Sequence, residues 1–173
     1  MKKLLSFLSA LILFPSLALA GTSFPPYVPG QITGTATNNN ATAGNVGEDV
    51  VSNIASGSAV ALTNGVPANV TSISLTAGDW EVWGAICTNP GGTTTQSVFI
   101  GGINSTSATR PATDGFYWSV GAGVIATGSP WCQSVAPVRA SLASTTTYYL
   151  VTQSNFGVST NAAYGYIEAR RMR

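Results

Sequence analysis

Between Gly47 and Gly84 the chain alternates apolar residues with small or polar ones, and Thr63-Asn64-Gly65 and Ala77-Gly78-Asp79 interrupt the alternation as turns. A period of two sends successive side chains to opposite faces of the backbone, which selects strands over helices. Trp80, Val82, Gly84 and Ile86 then share one strand face, the face to be buried. The pattern recurs and predicts strands over 49–54, 58–62, 70–75, 79–88, 96–103, 115–126, 135–142, 146–153 and 162–171. Asn89-Pro90-Gly91-Gly92 and Thr127-Gly128-Ser129-Pro130 supply further turns. So many short strands at this spacing, with no helical period after residue 20, make an antiparallel all-β sandwich or barrel. Phe116, Trp118, Val120 and Val124 are expected to face inward from one strand, and Tyr148 and Leu150 from another. No fixed-period repeat runs through the chain, which argues against a solenoid.

Surface chemistry agrees with this reading. Only 8% of the 173 residues are charged, whereas exposed helix faces rely on Glu, Lys and Arg. Thr, Ser, Asn and Gly take that place here, which suits strands and turns. The chain has no His, which excludes Ser-His-Asp and Cys-His catalysis. Carboxylates occur in pairs at Glu48-Asp49 and at Asp79/Glu81, the second pair projecting from one strand face. A glycosidase needs acids facing each other across a substrate, so a pair on one strand reads as a solvated surface. Calcium could use Asp79 and Glu81 only with help from Asp114, and two cysteines are too few for a zinc site. No enzyme activity, metal or cofactor is expected. Lys2 and Lys3 are the only lysines, so a basic nucleic-acid groove is not available. Arg170, Arg171 and Arg173 form the one basic cluster; a terminal strand pairing with acids of a neighbouring subunit explains it better than phosphate binding.

The ends differ from the middle. Lys2-Lys3, the apolar run 4–17 and Ala18-Leu19-Ala20 before Gly21 have the order of a secretory signal over residues 1–20. Residues 21–46 are first Pro-rich, then built of Thr, Asn, Ala and Gly, with little to bury. They read as an extended arm, and a β-sandwich domain is expected over 47–173. Cys87 and Cys132 are the only cysteines. In an exported chain an even count favours a disulfide, and in a reducing compartment two buried thiols are the alternative. Gly121, Ala122, Gly123 and Ala143 let chains approach closely, and Tyr148, Tyr149, Phe156, Tyr164 and Tyr166 exceed what one small core must hold. Both features suit a subunit interface.

The Gly47-Glu48 opening, the Ser-Ile-Ser-Leu-Thr-Ala-Gly-Asp-Trp block at 72–80, the Ala-Ser-Thr-Thr-Thr block within 141–149 and the Arg-rich end at 163–173 recur here in a set order. In that order and spacing residues 31–173 resemble a domain of tailed-phage virion proteins, found in tail fibres and other surface appendages. The resemblance implies a jelly-roll sandwich, a homotrimer, contacts with other virion structural proteins, and a non-enzymatic structural or attachment role. Host-surface glycans are the ligand class such a role would use. Exposed aromatics that stack on sugars, with Asn, Asp or Arg nearby, would carry it: Trp131, Arg110, Asp114 and Asn89 in loops, with Trp83 and Tyr117 as further platform residues. A Trp131 that plugs one end of the sandwich is the plainer reading of that residue. The leader points to an exported or virion-surface protein, and a secreted cellular adhesin or lectin-like protein is the alternative to a virion part.

Overall fold

In the computed structural model, residues 37, 39–112, 117–120 and 126–173 are described, 117–120 by their backbone alone. The leader-like segment 1–20, the arm residues 21–36 and the candidate Asp114 lie outside the described residues, as do Phe116, Gly121–Gly123 and Val124. The described residues from Asn39 onward belong to one compact unit, Asn38–Arg173.

Its strands are β1 (Asp49–Ile54), β2 (Val60–Ala61), β3 (Ala68–Leu75), β4 (Gly78–Thr88), β5 (Thr95–Asn104), β6 (Tyr117–Val120), β7 (Cys132–Leu142), β8 (Thr146–Gly157) and β9 (Ala162–Arg171). Among the described residues no α-helix forms, and one 3-10 turn spans Ser56–Ser58. The first sheet has the order β1-β9-β4-β7, with β2 also on β9; the second has the order β3-β8-β5-β6. Neighbours pair antiparallel throughout. The two sheets pack as a β-sandwich, one of the two architectures that the alternation allows. The segment 58–62 is the weakest match to expectation: the 3-10 turn takes its start, and only Val60 and Ala61 pair.

Burial follows the period-two pattern. Trp80, Val82 and Ile86 of β4 are fully buried, and they meet Leu75, Phe99, Leu150 and Ile167 from the surrounding strands. Each such side chain contributes on the order of 2 kcal/mol by leaving water. The end of the sandwich near Thr88 is closed by small polar groups instead. Thr94 Oγ1 donates to the Thr160 carbonyl at 2.6 Å, and Asn161 Nδ2 donates to Ser154 Oγ at 3.1 Å. Gln96, buried at the same end, meets no hydrogen-bond partner within the protein at either amide atom.

The opposite end is held by a buried ion pair. Arg171, on the inward face of β9 and 4% exposed, donates from Nε to Glu48 Oε2 at 2.9 Å, from Nη1 to the Ala77 carbonyl at 2.8 Å and from Nη2 to Thr76 Oγ1 at 2.5 Å. Its guanidinium carbon lies 4.2 Å from the centre of the Trp80 ring. Gly78, at φ +141°, is part of this cage, because a Cβ there would come within 2.0 Å of Arg171 Nη1. Burial pushes the Glu48 carboxyl up, but the Gly44 N–H and Arg171 outweigh it and hold it below its ordinary value. The basic cluster therefore pairs with acids of its own chain: Arg171 with Glu48, and Arg173 with Asp79 at 2.6 Å. The neighbouring-subunit partners expected from sequence are not needed. Residues before Gly47 also join the domain, since Asn40 donates to the Asp49 carbonyl at 2.6 Å and accepts from the Asp49 N–H at 2.8 Å.

Cys87 and Cys132 form a disulfide across β4 and the edge strand β7, where they are register partners. The pair lies on the outer face of the first sheet, with Cys132 exposed, so the buried-thiol alternative does not apply. The bridge closes a loop of sequence separation 45, which on the chain-entropy model stabilises by about 4 kcal/mol. Replacing both cysteines by Ala is expected to lower the unfolding free energy by about that amount in chemical denaturation. An unchanged midpoint would show that β7 is held by pairing alone.

Candidate functional site

The loop residues singled out from sequence do not converge. Trp131 and Asn89 sit at the disulfide end of β4. There the Trp131 N–H donates to Thr88 Oγ1 at 2.9 Å, its carbonyl accepts from the Thr88 N–H at 2.8 Å, and the Asn89 N–H donates to the Ala162 carbonyl at 2.7 Å. The Trp131 ring is half-buried against the core, and its indole N–H is enclosed without a partner. Arg110 lies elsewhere, on a cavity of about 330 Å³ that it shares with Ile103, Asn104, Val138 and Tyr148. Val138 faces Val82 in mid-strand, so this cavity is well removed from Trp131. Burial pushes the Tyr148 hydroxyl above its ordinary value.

The carboxylates separate into different environments. Asp79 accepts from Arg139 Nε and Nη2 at 3.0 and 2.7 Å, a bidentate grip, and from Arg173 Nε. The Arg139 hydrogen bonds hold its carboxyl below the ordinary range; burial opposes them and Arg173 adds to them. Asp79 is therefore occupied by two guanidinium groups, while Glu81 stays exposed. Glu48 and Asp49, adjacent in sequence, point to opposite faces: Glu48 inward to Arg171, Asp49 outward to Glu168.

That outward face is the most functional-looking surface of the molecule. Strand register arranges it in rows. Asp49, Arg170, Glu81 and Arg139 stand side by side with alternating charge across β1, β9, β4 and β7. Val51, Glu168 and Trp83 make the next row, and Asn53, Tyr166 and Ala85 the one after. Tyr164 follows, beside the disulfide. Trp83, Tyr164 and Tyr166 are half-exposed, and Val51 is 61% exposed. Opposite Trp83, β7 bulges: the register passes from Val82↔Val138 to Gly84↔Val135, leaving Ala136 and Pro137 against one residue. Proline is tolerated there because β7 is an edge strand and a bulge needs no ladder donor.

Side chains link these rows. Glu168 stands beside Trp83 in the register and diagonal to Asp49, and both act on its carboxyl. The Oδ1 atom of Asp49 is enclosed and meets no hydrogen-bond donor within the protein. Burial raises the Glu168 pKa, Asp49 raises it further by charge and hydrogen bonding, and Arg170 and Trp83 partly offset both. Beside this pair a groove of about 500 Å³ runs along Asn39, Asn40, Gly47, Asp49, Val51 and Arg170. Sequence reasoning placed Trp83 on an exposed face but missed Asp49, Glu168 and Arg170. Only the pairing of β1 with the distant β9 brings them together, and no local signal carries it.

No protein-family model matches the chain, and no curated protein is similar to it.

The raised Glu168 pKa fixes a sign. A carboxyl that binds its proton more tightly when folded stabilises fully below its ordinary value of about 4.5 and loses that stabilisation as pH rises through the raised value. Glu48 and Asp79, both lowered, act oppositely and lose their contribution as pH falls. Replacing Glu168 by Gln should therefore raise stability relative to wild type increasingly as pH climbs from 4.5 towards neutrality, read by thermal melts. Parallel curves for the two proteins would show that folding does not raise the Glu168 pKa.

Proposed function

We propose that this chain is a non-enzymatic structural and attachment module of a phage virion appendage, assembled as a homotrimer and recognising host-surface glycans. The observation that carries the reading is the outer face of the first sheet. Trp83, Tyr164 and Tyr166 stand half-exposed there on strands β4 and β9, each paired on both sides. Aromatic rings displayed on a rigid sheet suit stacking against a ligand better than turnover of one. The jelly-roll reading has support in the strand order. From β2 onward every successive strand except β6 changes sheet, with β1, β2, β4, β7 and β9 in the first and β3, β5, β6 and β8 in the second, as two interlocked Greek keys would run. Tyr148 and Phe156 pack against the core, which leaves Tyr149, Tyr164 and Tyr166 as the aromatics open to a partner. Three linked copies would turn weak sites into one multivalent contact.

The disulfide favours a second reading, a secreted cellular adhesin or lectin-like protein, because such bridges form and persist in oxidising compartments. Both readings share attachment as the activity.

Light scattering of the purified chain at micromolar concentration, with a pull-down on intact bacterial cells, tests the proposal. A trimer that binds cells and releases no product is expected. A monomer that binds no cells would overturn it.

A further inference from the structure

We infer that the groove along β1 and the Trp83 row beside it form one binding site for uncharged hexose units of a glycan. The inference rests on the attachment reading and assigns its ligand class and its place, away from the loops.

The groove has the chemistry of a polyol site. Vicinal hydroxyls are recognised by planar groups that accept or donate in pairs. Asp49 and Arg170 supply an acceptor and a fork of donors from directly opposed register positions, both lining the groove. Asn40 holds the floor in place: its amide bonds the Asp49 backbone in both directions, at 2.6 and 2.8 Å. A groove fixed before the ligand arrives loses less entropy on binding. Its volume of about 500 Å³ falls in the range of small-ligand sites, about 300–1,000 Å³.

The aromatic part of the site is physically joined to this groove. Glu168 is the register partner of Trp83 and stands diagonal to Asp49, between the groove and the indole. Val51, which lines the groove, shares its register row with Glu168 and Trp83. A sugar has a polar rim and apolar C–H faces, so it needs this adjacency of carboxylate, guanidinium and indole. Charge excludes other occupants. Asp49 and Glu168 face one guanidinium, that of Arg170, so phosphates, sialic acids and uronic acids meet net repulsion.

The test uses the full chain on an array of immobilised oligosaccharides. Neutral glucose, galactose, mannose and N-acetylglucosamine termini are compared with sialylated and glucuronylated ones. Three variants are measured beside wild type: Trp83→Ala, Asp49→Asn and Val51→Glu. Val51 is 61% exposed, so its replacement puts a charge in the groove without disturbing the core. Expected is binding to at least one neutral class, at least about tenfold weaker binding of acidic glycans, and about a tenfold loss in each variant with a cooperative melting transition retained. Neutral-glycan binding kept by all three variants but lost in Trp131→Ala would leave attachment standing and overturn this site. Preference for acidic glycans would overturn it too. A wild-type protein that binds cells but no glycan on the array would reject the ligand class alone; binding neither would reject the attachment reading with it.

Discussion

A buried cation, Arg171, organises one end of this sandwich. Arg171 lies among core residues, where an unpaired guanidinium would be costly. Each nitrogen of its guanidinium has an acceptor, in Glu48, Ala77 and Thr76, and the Trp80 ring packs against the cation. Backbone bonds double the link, because the Gly47 N–H donates to the Arg171 carbonyl and the Arg171 N–H to the Glu48 carbonyl. The clamp thus joins three places far apart in sequence: the approach to β1, the β3–β4 turn and the end of β9. It also explains the Thr-Ala-Gly-Asp-Trp block. Thr76 and Ala77 supply acceptors, Gly78 leaves room, Asp79 turns outward to Arg139 and Arg173, and Trp80 forms the wall.

The clamp and the disulfide act at opposite ends of β4. Glu48 and Arg171 close the Gly78 end, while Cys87 and Cys132 fix the edge strand β7 at the Thr88 end. Between them the outer face carries charges in alternating rows and then aromatic side chains. Cross-strand pairs of opposite charge contribute about 0.2–1 kcal/mol each, so their main consequence is positional. They hold Asp49, Arg170 and Glu168 in one arrangement beside Trp83. Stability and recognition therefore depend on the same strand register, that of β1 on β9 and of β9 on β4.

Much of this was legible in the sequence. The face shared by Trp80, Val82, Gly84 and Ile86 is the buried face, and most strand positions follow from alternation and turns. Strand ends were read less well. β7 begins at Cys132 and not at 135, because its pairing with β4 and the disulfide outweigh the weak propensity of Gln133 and Ser134. β8 runs on to Gly157 because β5 pairs with it throughout. Glu81 is exposed as expected, but the fates of the other charged residues at the strand ends were not legible. Arg170 and Arg171 are neighbours of one type, yet one is exposed and the other buried, a difference set by the parity of a strand whose partners lie far away in the chain. Glu48 and Asp49 diverge for the same reason. The candidate loop residues Trp131, Asn89 and Arg110 were chosen by chemistry alone, and spacing along the chain could not reveal that the first two and the third lie in different parts of the fold.

The clamp is tested most directly by a double-mutant cycle on Glu48 and Arg171, using Glu48→Gln, Arg171→Met and the pair together in chemical denaturation. Each single change strands a buried charge, whereas the double change leaves none. Expected is a coupling energy of about 2 kcal/mol or more, with the double variant no less stable than Arg171→Met alone. Additive effects, with a coupling below about 0.5 kcal/mol, would contradict the central place given to this ion pair.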